Sequence, residues 1–185
     1  YWPTWLLWAS LRLSVCLPFR WQIALGKCLG NVLRMCLRRA PLAARRNLEV
    51  CFPELSASDR DILVRQHFKS LGASVAEVAL GWYAPIERLR PLVRVEGHEN
   101  LQKAHAEGRG VILYAAHFTC LEIGLAILED LVPSCRGMYR PHGNAMLDAM
   151  IREGRRPAIE KLIPKDNIRS LVRELHNNAT VIYLP

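Results

Sequence analysis

His117 and Glu122 are the two residues of this sequence whose types and spacing suit paired acid–base chemistry. A neutral imidazole takes up a proton near neutral pH, and a carboxylate beside it orients the ring and stabilises the imidazolium. Both lie in the stretch Val111-Ile-Leu-Tyr-Ala-Ala-His-Phe-Thr-Cys-Leu-Glu122, which opens as a continuous apolar run and continues as an apolar helical pattern to Leu128. Glu122 is a lone acid among Leu121, Ile123, Leu125 and Ile127, and a carboxylate is costly to bury without a partner. On a single helix, residues five apart would be turned about 140° from each other. A strand that closes near His117 and a helix that begins near Thr119 remove that objection. The imidazole then stands at the mouth of a strand-to-helix turn, and Glu122, in the first helical turn, can point back toward it. The same spacing has a plainer reading: Thr119 and Glu122 match a capping box, with His117 an ordinary turn residue. Spacing leaves both open.

A second group could recognise an anion. Arg136, Tyr139, Arg140, His142, Arg152, Arg155 and Arg156 follow within forty residues, and guanidinium binds phosphate in bidentate fashion. Arg140 falls in a turn after a strand, a favoured ligand position in α/β sheets. Arg152, Arg155 and Arg156 also read as the solvated face of a helix. The six cysteines form no Cys-x-x-Cys pair and no metal-ligand spacing with the six histidines, and no His-Glu-x-x-His occurs. No metal and no cofactor are therefore expected. The cysteines read as reduced, buried thiols of a cytosol-facing protein. Cys120 lies in the central turn, but no setting that would lower its pKa is evident. His67, without an acidic or cysteine partner at ligand spacing, reads as structural.

The elements that must position these residues follow from periodicity. Strands expected over 92–95, 111–116, 137–139, 160–163 and 180–184 alternate with helices over 98–107, 119–131, 144–156 and 166–176. That alternation predicts an α/β fold with a mixed, mainly parallel sheet and helices on both faces. Four helices precede it, over 4–17, 21–39, 42–50 and 59–82. The last carries an apolar stripe of Ile62, Val64, Phe68, Leu71, Val75, Val78 and Leu80, with Ser58 and Asp61 at capping-box spacing.

The chain is 51% apolar and 23% charged, a globular composition and not a disordered one. Its net charge of +8 resides in residues 1–48, which hold eight basic residues and no acid, whereas the remainder balances to zero. A basic segment rich in Trp and Leu suits an anionic membrane surface better than nucleic acid. The first apolar stretch, as a helix of about 21 Å, falls short of the roughly 30 Å hydrocarbon layer. It lacks the basic end and cleavage site of a signal peptide and reads as an interfacial or partly inserted helix. Two regions follow: a basic, Trp-rich, membrane-associated helical segment over 1–48, and an α/β core over 49–185.

His117-Phe-Thr-Cys-Leu-Glu122 resembles the His-x4-Asp/Glu motif of glycerolipid-type acyltransferases. With Tyr139-Arg140-Pro141, Asn144 and Asp148, the chain resembles the late acyltransferases of bacterial lipid A biosynthesis, the lauroyl/myristoyl transferase family. Asn47-Leu48-Glu49, Cys51-Phe52-Pro53, Gly154-Arg155, Lys165-Asp166 and Tyr183-Leu184-Pro185 resemble further stretches of that family, so the likeness covers nearly the whole chain. The resemblance implies a glycerolipid-acyltransferase-like core at the cytoplasmic face of the bacterial inner membrane. It implies transfer of a fatty acyl group from acyl carrier protein to a hydroxyl of a phosphorylated lipid A precursor. His117 would be the general base and Glu122 its orienting acid; Arg140, Tyr139 and Arg155 would bind substrate. It also implies a further C-terminal segment, so that this chain is a fragment. Two other expectations stand beside it: an acyltransferase for another glycolipid or a lysophospholipid, and an inactive membrane-surface binding protein of the same fold.

Overall fold

The chain opens with four long helices in the computed structural model, which describes residues 2–132 and 135–184. They are α1 (Trp2–Ser14), α2 (Phe19–Cys36), α3 (Arg39–Cys51) and α4 (Ala57–Tyr83), each within a few residues of its expected span. Pro18, extended at φ −59° and ψ 144°, separates α1 from α2. The cap of α4 lies two residues earlier than the spacing predicted. Ser56 Oγ accepts from the Asp59 amide at 3.1 Å and donates to Asp59 Oδ2 at 2.6 Å; Asp61 instead pairs with Arg45 of α3. The expected stripe on α4 is only partly correct. Val64, Phe68 and Leu80 are buried, but Ile62 and Leu71 are 43% and 44% exposed. The packed side is instead the small-residue line Gly72, Ala73, Ala76 and Ala79, because α2 presses its backbone on Gly72 and Ala73 and Leu11 of α1 packs on Ala79. A Cβ at Gly72 would fall 2.0 Å from the Gly26 carbonyl oxygen, and one at Gly30 would fall 1.9 Å from that of Phe68. The basic segment is thus packed along the long helix and not held away from it. No helix among the described residues is long and apolar enough to cross a membrane.

The strand expected over 92–95 does not form. After α5 (Ile86–Leu89), Arg90–Leu92 makes a 3₁₀ turn and the chain then runs without regular structure to α6 (His98–Ala106). Val93 packs against the apolar cluster of Leu80, Leu89, Ile123 and Ile127, whereas Val95 is 47% exposed and Arg94 pairs with Glu96 at the surface. One partly buried apolar residue is too little to hold a strand.

Among the described residues the four strands are β1 (Val111–Tyr114), β2 (Cys135–Tyr139), β3 (Lys161–Pro164) and β4 (Thr180–Tyr183), in the order β1-β4-β2-β3. Every pairing among them is parallel. The connecting helices are α7 (Leu121–Leu131), α8 (Ala145–Arg155) and α9 (Ile168–His176). The steps β1 to β2 and β2 to β3 run one way along the sheet, and β3 to β4 runs back. Right-handed crossovers therefore put α7 and α8 on one face and α9 on the other. Alternation within β2 agrees with this. Cys135 is buried with Leu125, Ala158, Ile159 and Ile182 beneath α7. The next residue, Arg136, reaches Glu174 of α9 at 2.9 Å. Lys161 also donates to Glu174, and Lys161 and Arg136 together hold its carboxyl below the ordinary range. Thr180, buried in β4, pairs with His105 of α6 at 2.7 Å.

Cys135 alone among the six free cysteines is buried. The expectation of buried thiols fails for the other five: Cys16 and Cys120 lie in turns, and Cys28, Cys36 and Cys51 are exposed on their helices. His67 is exposed, its ring edge resting on Phe68.

Candidate active site

All strands of a parallel sheet open their carboxyl ends on one edge, where such folds bind ligands. Two of the candidate residues emerge there. Past the end of β1, the Ala115 amide still bonds to the Tyr183 carbonyl at 3.0 Å, and His117 follows two residues later, exposed. Arg140 follows the last residue of β2 and is also exposed, with no hydrogen bond or ion pair to any described residue. Because β4 lies between β1 and β2, two strand spacings, about 10 Å, separate the two exits. Tyr139 ends β2 half-buried, its carbonyl accepting from the Lys165 amide at 2.9 Å. The turn after Arg140 is clasped from behind. Asp148 Oδ1 accepts from the His142 amide at 2.8 Å, and Asn144 Oδ1 caps α8 by accepting from the Met146 and Leu147 amides.

Glu122 has a different setting from the one its spacing suggested. Two turn residues, Thr119 and Cys120, stand between strand and helix, so α7 starts at Leu121. Cys120 is the N-cap and no side chain bonds there; the capping box does not form. The Glu122 side chain, in a residue only 7% exposed, is directed to α4 and α8. Its Oε2 accepts from Trp82 Nε1 at 2.7 Å. Arg155 Nε lies 3.0 and 3.1 Å from the two carboxylate oxygens, and Arg155 Nη2 also donates to Oε1. No hydrogen bond joins Glu122 to His117. A buried carboxylate is stabilised where charged and neutral N–H donors converge, and Arg155 with Trp82 supplies both kinds.

The arginines that stand near one another in sequence are dispersed in space. Arg155 turns inward to Glu122 and is 20% exposed at its side chain. Arg156, one residue on, is exposed and pairs with Glu153 at 3.6 Å. Arg152 is exposed, and Arg136 serves the opposite face of the sheet. Arg140 is the member of the group left at the open edge.

Trp82 was not singled out from sequence. The signal that could have found it is a pair of glycines, each one residue before a Glu122 donor. A Cβ at Gly81 would fall 2.5 Å from the Glu122 carbonyl carbon and oxygen, and one at Gly154 would fall 2.4 Å from the Trp82 ring. Both glycines, Trp82, Glu122 and Arg155 line a small cavity of about 70 Å³.

With known proteins, residues 1–185 match the family model described as bacterial lipid A biosynthesis acyltransferase. The chain is similar to the lipid A biosynthesis palmitoleoyltransferase of Escherichia coli (strain K12), at 35% identity over 185 residues. It is similar to the lauroyltransferase of the same pathway and organism, at 31% over 185 residues, and to the myristoyltransferase, at 25% over 190. Each match covers 100% of this chain and 60%, 60% and 58% of the respective relative. The chain thus spans about three fifths of the length of the curated relatives it matches.

Proposed function

Because this chain belongs to the bacterial lipid A biosynthesis acyltransferase family, we propose that it serves acyl transfer to a lipid A precursor. The donor in this reading is a fatty acyl thioester of acyl carrier protein, and the acceptor is a hydroxyl of the phosphorylated glycolipid. The site of action is the cytoplasmic face of the inner membrane. An alcohol is a weak nucleophile near neutral pH and needs a base within hydrogen-bond reach of its proton. His117 takes that proton as the acceptor oxygen bonds to the thioester carbonyl carbon. The carbon–sulfur bond then breaks, and the leaving thiolate is reprotonated. No acyl-enzyme is required, since the thioester is already activated. The Leu121 amide already bonds to the Phe118 carbonyl at 3.2 Å, but those of Glu122 and Ile123 lack helical partners and are available to the developing oxyanion. Glu122 fixes the geometry of the base, and Arg140, with Tyr139 beside it, meets a phosphate of the acceptor. The Trp-rich basic residues 1–48 lie on the anionic leaflet.

The observation that supports this reading best is the exit of His117, exposed, from the carboxyl edge of β1, with Arg140 at the same edge. The test is acyl transfer by the purified full-length protein that contains this chain, with acyl-loaded carrier protein and a phosphorylated lipid A precursor. The expected result is turnover that falls at least about 100-fold in His117→Ala, with thermal unfolding unchanged. Absence of turnover in the parent protein would sink the acyl-transfer reading; near-original turnover in the variant would sink the general base.

A further inference from the structure

We propose that Trp82 and Arg155 are positioning residues for this chemistry, acting through Glu122; the inference rests on the acyl-transfer reading above. Three helices converge on the one carboxylate. Trp82 comes from α4, forty residues before it, and Arg155 from α8, thirty-three residues after. Three N–H groups, Trp82 Nε1, Arg155 Nε and Arg155 Nη2, bond to its two oxygens. A carboxylate offers about four acceptor positions, so these donors set its plane and its rotamer. Arg155 also sets a positive charge against the acid among Ile123, Leu125 and Ala126. Glu122 stands in the first turn of α7, so clamping it fixes that turn and with it the segment from Ala115 to Cys120 that carries His117.

The packing is built to allow the convergence. Gly81 lets the α7 backbone at Glu122 approach α4, and Gly154 seats the Trp82 ring against α8. A side chain at either would separate a donor from its acceptor. The geometry also changes the assignment of Arg155, whose position in sequence suggested substrate phosphate. Its guanidinium is engaged by Glu122 through Nε and Nη2, and a phosphate could not take that edge without displacing the carboxylate.

Steady-state kinetics on the full-length protein decide it, using W82F, R155K, E122Q and the double variants W82F/E122Q and R155K/E122Q. W82F keeps a ring in the Gly154 seat and loses only the N–H; R155K keeps the charge and loses the fork. Each is expected to lower kcat about tenfold, the effect of one hydrogen bond to a charged group, with KM for the phosphorylated acceptor unchanged. Each double variant is expected to be no slower than E122Q alone, because the donors act through the acid that E122Q has already removed. Losses that multiply would show an effect independent of Glu122 and overturn the proposal. A raised KM in R155K with kcat held would make Arg155 a phosphate ligand and overturn its part. Wild-type kcat in E122Q would remove Glu122 from the machinery and the positioning role with it, while His117→Ala still judges the general base separately. Should W82F fail to fold, R155K and its double variant carry the decision.

Discussion

Thiol reactivity follows how much thiolate a cysteine carries and whether a reagent reaches it. Cys135 opens β2 with its side chain under α7, and burial pushes its thiol up to about 11, against a smaller opposing pull from Arg136. Cys16, Cys28, Cys36, Cys51 and Cys120 are exposed. A disulfide reagent at pH 8 is therefore expected to label those five in the folded chain and Cys135 only on unfolding, as read by peptide mapping. Labelling of Cys135 at the rate of Cys120 would contradict the packing around β2. Glu122 makes the complementary point about a single residue. That an isolated acid in an apolar helix must have a partner was legible from its neighbours. The partner was not, because Trp82 and Arg155 lie forty and thirty-three residues away and nothing local specifies which donors the fold will bring.

Among the elements, the contact of α2 with α4 is the closest. Helices approach to backbone contact only where no Cβ stands between them, and Gly26, Gly30 and Gly72 provide that line. Gly72→Ala would set a methyl 2.0 Å from the Gly26 carbonyl oxygen and 2.4 Å from the Gly30 amide nitrogen, and neither atom can yield without moving a helix. The expected destabilisation is about 3 kcal/mol, a fall in Tm of about 6 to 12 °C. Gly143→Ala, where a Cβ meets nothing within 4 Å, is the control and should leave Tm within about 2 °C. Equal melting of the two variants would mean that α2 does not lie on α4 in solution. The helices themselves were legible from apolar periodicity, but the face of α4 that packs was not. Large residues mark a buried stripe in sequence, and this interface is made by the small ones.

In the whole molecule, the N-terminal helices carry both the excess positive charge and the largest exposed apolar residues. Trp2, Leu13, Trp21 and Leu42 are each two-thirds exposed or more. The inner side of α1 is meanwhile secured by Leu11 against Ala79 and Met150, and by Arg12 over the rings of Trp8 and Tyr83. Exposed apolar residues on helices with an excess of cations suit the anionic membrane surface proposed above. Replacing Trp2, Trp5 and Trp21 by Ser is expected to weaken co-flotation with vesicles containing phosphatidylglycerol at least about tenfold, with the fold retained. Undiminished flotation would remove the membrane role from this face. The sequence by itself determined what short-range rules can carry: the alternation of strands and helices, the net charge confined to residues 1–48, and a histidine in the turn after an apolar strand, although that strand is half exposed and not buried. Only the tertiary structure decided the strand order, the dispersal of Arg136, Arg140 and Arg155 to three different surroundings, and the clamp on Glu122. Periodicity reports which side of an element is apolar; which distant element covers that side is settled by packing of the whole chain.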